Sequence, residues 1–491
     1  MSTQASLDAV VIGSGPNGLA AAIALARAGY SVRVYEAQLT VGGGMRSAEL
    51  TRPGFVHDVA STVHALVLMS PFLKRLPLGE LGLEFAHPGA PFAHPLDDGT
   101  AVVVERSVDA TAAALDGHDG RAYRNLIAPF VESYEALMGA LLGPFSLRHP
   151  ITMARFGRHA VRSASGLARH KFASERTRAM FAGVAAHSMV PLEKLATSGY
   201  ALGLVIAAHA VGWPVARGGS QQAGNALAAH LRSLGGEIVT GTPIDSLAAL
   251  PKSRVVLCDV TPRQFLRIAG DGLRGLYRRR LSRFRYGPGV FKMDWALNAP
   301  VPWRSPECAR AGTVHVGGSL AEISESERAV WENRVSERPY VLVVQPSRFD
   351  PTRAPDGKQT LWAYSHVPNG STIDMRDRIE AQIERFAPGF RDCVIERSLM
   401  TPADLERSNA NLVGGDIGGG AADLAQLYAR PILSLHPYRT PLEGVFLCSS
   451  STPPGVGVHG MCGFHAAQEA LRYLERRRRI HVFISQRPRF E

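Results

Sequence analysis

The chain has 491 residues, 45% of them hydrophobic and 20% charged, a globular balance that allows a large core and excludes extended disorder. Its formal net charge is +11, but the basic residues are nearly all Arg, are spread along the chain and come with no RNA-binding or zinc-finger signature, so no nucleic-acid partner is expected. Five cysteines, Cys258, Cys308, Cys393, Cys448 and Cys462, are odd in number and lack metal-ligand spacing, which points to a reducing compartment with neither a disulfide framework nor a metal site.

From the amino end, Met1 to Asp8 is polar and lacks the basic-then-apolar pattern of a secretory leader. Ala9 to Ile12 is a short apolar strand, followed at once by Gly13-Ser14-Gly15-Pro16-Asn17-Gly18. Leu19 to Ala28, rich in Ala and Leu, predicts a helix stopped by Gly29. Ser31 to Tyr35 alternates as a second strand, closed by Glu36 and Ala37. The glycines have separate tasks: Gly13 permits the tight turn, Gly15 lets the backbone approach a pyrophosphate, and Gly18 allows close helix–strand packing. The helix start adds free N–H groups and a positive dipole end for phosphates. Glu36 falls where an acid meets a ribose hydroxyl. Strand, loop, helix, strand and acid in this order predict a dinucleotide site over Gly13, Ser14, Gly15, Pro16, Asn17, Gly18, Glu36 and Ala37.

Just past Glu36 comes Val41-Gly42-Gly43-Gly44-Met45-Arg46-Ser47, and then Gly54-Phe55-Val56-His57-Asp58. Near the carboxyl end, Gly444 to Cys448 reads as a strand, Ser449 to Pro454 as a turn, and Gly455-Val456-Gly457-Val458-His459-Gly460-Met461 as the opening of a helix. On these segments the sequence resembles the flavoprotein superfamily of amine oxidases, phytoene desaturases, carotenoid isomerases and retinol saturase, and most of all bacterial phytoene-desaturase-like proteins. The resemblance implies FAD as the cofactor. Gly43, Gly44, Met45 and Arg46 would then lie along it, and Gly457, Val458, His459, Gly460 and Met461 would face the pyrimidine edge of its ring system. A helix start at that edge stabilises negative charge.

The middle of the chain matches the superfamily more thinly. Between Glu80 and Val211 it reads as mostly helical, with apolar runs at Ala185 to Met189 and Leu202 to Ala208 that suit either core helices or a substrate tunnel. The longest apolar stretch, Tyr200 to Trp213, is interrupted by His209 and is too short for a membrane span. Ala223 to Leu234 is a helix, Glu237 to Thr240 a strand, Thr242 to Leu247 a turn or hairpin, and Arg254 to Val260 a strand. This resembles the superfamily's second FAD-domain segment, in which a residue at the position of Ile244 contacts the adenine through its backbone. Val290 to Leu297, Thr313 to Val316 and Tyr340 to Gln345 read as strands of a substrate-domain sheet. The expected fold is α/β (α+β overall), with a discontinuous Rossmann-like FAD-binding domain (1–79, 212–282 and 401–491). A substrate-binding domain (80–211 and 283–400) would carry a mixed sheet and a helical cap. No second glycine fingerprint follows a strand, since Gly414 to Gly420 lacks one, so a separate NAD(P)H domain is not expected.

No nucleophile triad or metal cluster stands out, as suits hydride transfer to a flavin. Two residues are candidates for chemistry. Lys292, in Tyr286-Gly287-Pro288-Gly289-Val290-Phe291-Lys292-Met293-Asp294, resembles the amine-oxidase strand lysine that holds a water at flavin N5. Its alternative is a solvent-facing strand lysine. His459, in the carboxyl-terminal motif, is a candidate acid or base. Cys462 beside it lacks a motif for a covalent flavin link. The expected activity is an FAD-dependent dehydrogenase, desaturase or oxidase for a lipophilic isoprenoid or polyene substrate, with oxygen or a quinone as electron acceptor. Rival readings are a redox-neutral isomerase, an amine oxidase, and a flavin-free lipid or prenyl carrier resembling the Rab GDP-dissociation inhibitors. The expected location is cytoplasmic. Arg476 to Arg479 with Ile480, Val482, Phe483 and Ile484 offers a peripheral contact with an anionic membrane, or simply a solvated helix end.

Overall fold

The apolar run Leu7–Ile12 forms a strand with parallel neighbours on both sides, Val32–Tyr35 and Ser253–Cys258. Glu237–Val239 adds beyond the first and Val445–Leu447 beyond the second, also in parallel. The computed structural model, which describes residues 7–143 and 149–485, thus builds one five-stranded parallel sheet from three stretches of chain. Parallel strands need crossovers, and their flanking helices bury the sheet. Helix Pro16–Arg27 buries every residue from Asn17 to Ala26, most of them Ala or Leu. It lies against the final helix, Met461–Ser485. A Cβ on Gly463 would stand 1.8 Å from the Asn17 carbonyl oxygen, and one on Gly18 would stand 2.1 Å from that of Gly13. Glycine is therefore what lets helix, turn and helix close on one another.

The second sheet has seven strands, in the order Val394–Met400, Gly289–Leu297, Gln359–Val367, Val341–Val344, Ala311–Val316, Ala90–Pro95 and Ala101–Val104. All its pairs are antiparallel except Ala311–Val316 with Ala90–Pro95, so the sheet is mixed. One face packs Phe291, Met293 and Trp295 against Ile379, Ile383 and Phe386 of helix Arg376–Phe386. The other face packs Leu342, Val344 and Trp362 against the helices of 117–210, including Tyr123, Phe181, Leu202 and Val205. This is a helical cap over a mixed sheet, beside a Rossmann-like sheet.

The 80–211 stretch is mostly helical, as expected, and also supplies Ala90–Pro95 and Ala101–Val104 at the edge of the mixed sheet. Every residue of Ala90–Pro95 is buried, so the strand shows no alternation to read. The Gly455–Gly460 run does not open the final helix, which begins only at Met461. Left-handed φ values of +106°, +130° and +67° at Gly455, Gly457 and Gly460 hold those residues in a loop.

Among the described residues no helix is long and apolar enough to cross a membrane. Arg476 to Arg479 are exposed on the final helix, and Arg477 pairs with Glu443. The side chains of Ile480, Val482, Phe483 and Ile484 lie outside what the structure describes.

Candidate active site

The carboxyl ends of the parallel strands and the face of the mixed sheet meet around one cavity of about 490 Å³. Gly13, Ser14, Gly15, Pro16 and Asn17 line its first end, together with Glu36, Ala37, Gly43, Gly44, Arg46 and Ile244. The Glu36 carboxylate accepts hydrogen bonds from the Ser14 amide (2.8 Å), the Ser14 hydroxyl (2.6 Å) and the Gln38 amide (2.8 Å). It is therefore fixed at the tip of its strand, beside the glycine turn. Gly18 is behind the wall and does the packing expected of it. Met45 is fully buried in the core beneath Gly44 and does not line the cavity, a correction to the cofactor contact expected of it.

Asp259 was missed by the sequence reading. It follows strand Ser253–Cys258, lines the cavity, and accepts the amide hydrogen of Gly18 at 2.8 Å. A Cβ on Gly15 would stand 2.7 Å from the same oxygen. Burial pushes its pKa up to about 7, against the pull of the Gly18 amide and with help from the nearby Glu36 charge. Its one sequence signal is position: it stands directly after a parallel strand, where such sheets place ligands.

The other end of the cavity is apolar, lined by Leu66, Leu204, Trp213, Leu342, Trp362 and Tyr364 among others. Its polar groups are few. His187 reaches the cavity and faces His315, Nε2 to Nε2, at 2.9 Å. Burial pushes the His187 pKa down to about 3, so the pair is neutral, with one ring donating and the other accepting. Trp362 Nε1 is buried and has no partner among the described residues.

Lys292 is not a solvent-facing lysine. Every residue of Gly289–Leu297 is buried, and Lys292 lines the cavity. The two-residue period of the strand puts Lys292 and Asp294 on one face, where the ammonium pairs with the carboxylate. The Lys292 Nζ also lies 5.8 Å from the Trp362 ring centre. Burial pulls the Lys292 pKa down and raises that of Asp294 to about 6, while their attraction opposes both shifts. Behind this pair stand His57 and the Asp58–Arg353–Asp350 ion network, all buried.

His459 is corrected as a cavity residue. Gly457 and Val458 line the cavity, but His459, Gly460 and Met461 do not. The His459 Nδ1 accepts the Met461 amide at 3.0 Å and its carbonyl accepts the Ser70 hydroxyl at 2.6 Å. It thus fastens the start of the final helix. Burial lowers its pKa to about 4. Cys462 is buried too. Its thiol donates to the Thr452 and Gly455 carbonyls, and burial pushes its pKa up to about 12, so it is no candidate for a flavin link.

Residues 11–76 match the NAD(P)-binding Rossmann-like domain family. The whole chain is similar to mouse pyridine nucleotide-disulfide oxidoreductase domain-containing protein 2, at 28% identity over 95% of this chain and 94% of the mouse protein. It is also similar to the phytoene dehydrogenase of Streptomyces griseus, at 25% identity over 91% of this chain and 92% of that one. Its fold is similar to that of a putrescine oxidase solved with putrescine bound, with a TM-score of 0.60 at 18% identity, covering 95% and 99% of the two chains. The chain thus carries a Rossmann-like domain at its amino end, is similar along more than nine-tenths of its length to a phytoene dehydrogenase, and shares the fold of a putrescine oxidase.

Proposed function

We propose that this protein binds FAD along the cavity and oxidises a lipophilic substrate, an isoprenoid or polyene, passing the electrons to oxygen or a quinone. The observation that carries this reading is that one cavity is lined both by the glycine turn with Glu36 and by Lys292 with apolar side chains of the mixed sheet and its cap. The residues present fit the cofactor. Asn17 Oδ1 and Thr62 Oγ1 both belong to cavity-lining residues, and both are buried without partners among the described residues. Such atoms are costly unless a ligand or water satisfies them. Gly457 leaves a cradle in which a Cβ would meet Leu66 at 2.5 Å.

FAD bound here supplies the hydride acceptor. The protein does the rest. Glu36 would hold a ribose, and the amide groups at the start of helix Pro16–Arg27 would hold the phosphates. Leu204, Leu342 and Trp362 exclude water, and Lys292 brings a cation to the cavity wall. An amine substrate is disfavoured. Among the described residues that line the apolar end, none is a carboxylate to hold a substrate cation.

The test is the absorbance spectrum of the purified protein, before and after anaerobic dithionite. Two flavin bands that bleach support the reading, and rapid recovery in air marks an oxidase. Absence of flavin bands, even after FAD is added, would replace it with the lipid-carrier reading. With flavin bound, bleaching by a polyene but not by polyamines identifies the substrate class.

A further inference from the structure

A line of side chains leads from the Lys292 Nζ to the surface. Lys292 pairs with the Asp294 carboxylate through Oδ2. The other oxygen of Asp294, Oδ1, lies 3.5 Å from His57 Nδ1. Both of these atoms are buried, and neither has a hydrogen-bond partner among the described residues. The far side of the ring is engaged: His57 Nε2 is 2.8 Å from Thr51 Oγ1. Thr51 is half-buried and adjoins the exposed Arg52, Pro53 and Gly54.

We propose that Lys292, Asp294, His57 and Thr51 form a proton path that joins the cavity to solvent. The path rests on the FAD reading above for what it serves.

The surroundings suit such a path. Across the sheet, Lys292 and Asp294 face Tyr364 and Trp362 on one neighbouring strand and Met400 and Ser398 on the other, none of them charged. The charged groups near His57 are Lys292, Asp294, Asp58 and Arg353, and the last two are committed to each other at 3.1 Å. His57 is held neutral by its burial and by the Lys292 cation, its pKa lowered to about 3. A neutral ring has one N–H and one bare nitrogen, which is what a relay needs. The 3.5 Å gap is the one open link, and hydrogen bonds of this kind tighten when a site is loaded.

Each passage moves one proton and no electrons. Outward, the Lys292 ammonium gives an Nζ–H proton to the Asp294 carboxylate at Oδ2, and the free amine that is left takes up the incoming proton. The Asp294 carboxyl turns its proton to Oδ1 and passes it to His57 Nδ1 while Nε2–H gives one to Thr51 Oγ1, whose own hydrogen leaves to water. Inward, the same bonds form and break in reverse, and the ring returns to its first tautomer. Oxidation of the substrate releases an electron pair with one proton to the cofactor and a second proton to the path. Reduction of the acceptor takes both back, so one passage in each direction closes the cycle.

Two variants test the path, T51V at its mouth and H57N at its centre. Anaerobically photoreduced holoprotein is mixed with a soluble quinone in weak buffer containing a pH-indicator dye, and flavin absorbance and proton uptake are followed together. The path predicts an unchanged flavin spectrum in both variants, with proton uptake slowed roughly tenfold to a hundredfold. Proton uptake at the wild-type rate in both, with flavin bound, overturns it. If H57N does not fold, T51V decides alone, since Thr51 is only half-buried and valine keeps its shape. A wild-type chain that binds no flavin overturns the function and the path together, whereas bound flavin with unslowed uptake overturns the path alone.

Discussion

Asp259 Oδ2 accepts the amide hydrogen of Gly18 at 2.8 Å, so a carboxyl group stands against the amino end of the very helix whose dipole is offered to phosphate. The two demands conflict unless the group carries a proton. Burial raises its pKa from 3.8 to about 7. The folded chain holds this proton more tightly than the unfolded chain. The stability it contributes is therefore full below about 3.8 and is lost as pH rises through about 7. An arriving pyrophosphate raises the pKa further. Dinucleotide affinity of the apoprotein should fall by up to about tenfold between pH 6 and pH 8. In D259N, where an amide oxygen still accepts from Gly18 but no charge can form, it should stay flat. Fluorescence titration of FAD into apoprotein at the two pH values reads this. Equal pH dependence in both proteins would assign the effect to another group.

Glu36 holds its own loop together, besides the ribose contact proposed for it. Its oxygens satisfy the Ser14 amide, the Ser14 hydroxyl and the Gln38 amide. E36A would leave these donors without their acceptor, at a cost of about 1–3 kcal/mol for a buried group so stranded. It should lower the melting temperature of the apoprotein, before any ligand is added. It should also weaken FAD binding by about tenfold or more, the size of a lost charge-assisted hydrogen bond. A variant with native stability and weak binding would mean that the loop does not depend on this acid.

The meeting of the first and last helices should be the least forgiving packing in the Rossmann-like part. G463A would put a methyl group 1.8 Å from the Asn17 carbonyl oxygen, a backbone atom that cannot rotate away. Overpacking of this kind costs about 1–3 kcal/mol. Because Asn17 also lines the cavity, the shift that relieves the clash moves the glycine turn. Thermal unfolding and FAD affinity should fall together in G463A. A change in one alone would show that the helix contact and the turn are uncoupled.

What could be read from the sequence depended on how far apart the cooperating residues lie. The turn from Gly13 to Asn17 and the acid at Glu36 belong to one βαβ unit, so local spacing brings them together, and the structure puts them on one cavity wall with Gly18 behind it. Lys292 was legible through its strand motif, although its facing was not. A run buried on both faces, as Gly289–Leu297 is, has no polar alternation to show which residues turn inward. Asp259, and the meeting of His57 with Asp294, arise only when strands from distant parts of the chain pair or pack. No window of sequence holds both partners. The role of His459 was misread for a related reason. A glycine-rich loop before a helix looks alike whether its histidine faces the ligand or fastens the helix, and here Nδ1 takes the Met461 amide.

The Lys292–Asp294 pair allows a thermodynamic test of how charge is kept inside this fold. Removing either partner strands the other's buried charge, at a cost of about 3–5 kcal/mol, whereas replacing both is often near neutral. K292M and D294N should each be much less stable than the wild type in urea unfolding, and K292M/D294N should regain most of the loss. The pH dependence separates the two single variants. Asp294 already has its pKa raised to about 6 by burial, and without the Lys292 cation it must rise further. K292M should therefore recover stability as pH falls and Asp294 takes up a proton. Lys292 has its pKa lowered by burial and loses its opposing partner in D294N, so that variant should recover as pH rises and the ammonium gives up a proton. Unfolding curves at pH 5.5 and pH 8.5 should thus diverge in opposite directions for the two single variants and nearly coincide for the double one (a tenfold change in proton affinity being worth about 1.4 kcal/mol). Single variants that respond alike to pH would place the stabilising charge of Lys292 on a different partner, and Asp58, whose charge also reaches Lys292, would be the next to replace.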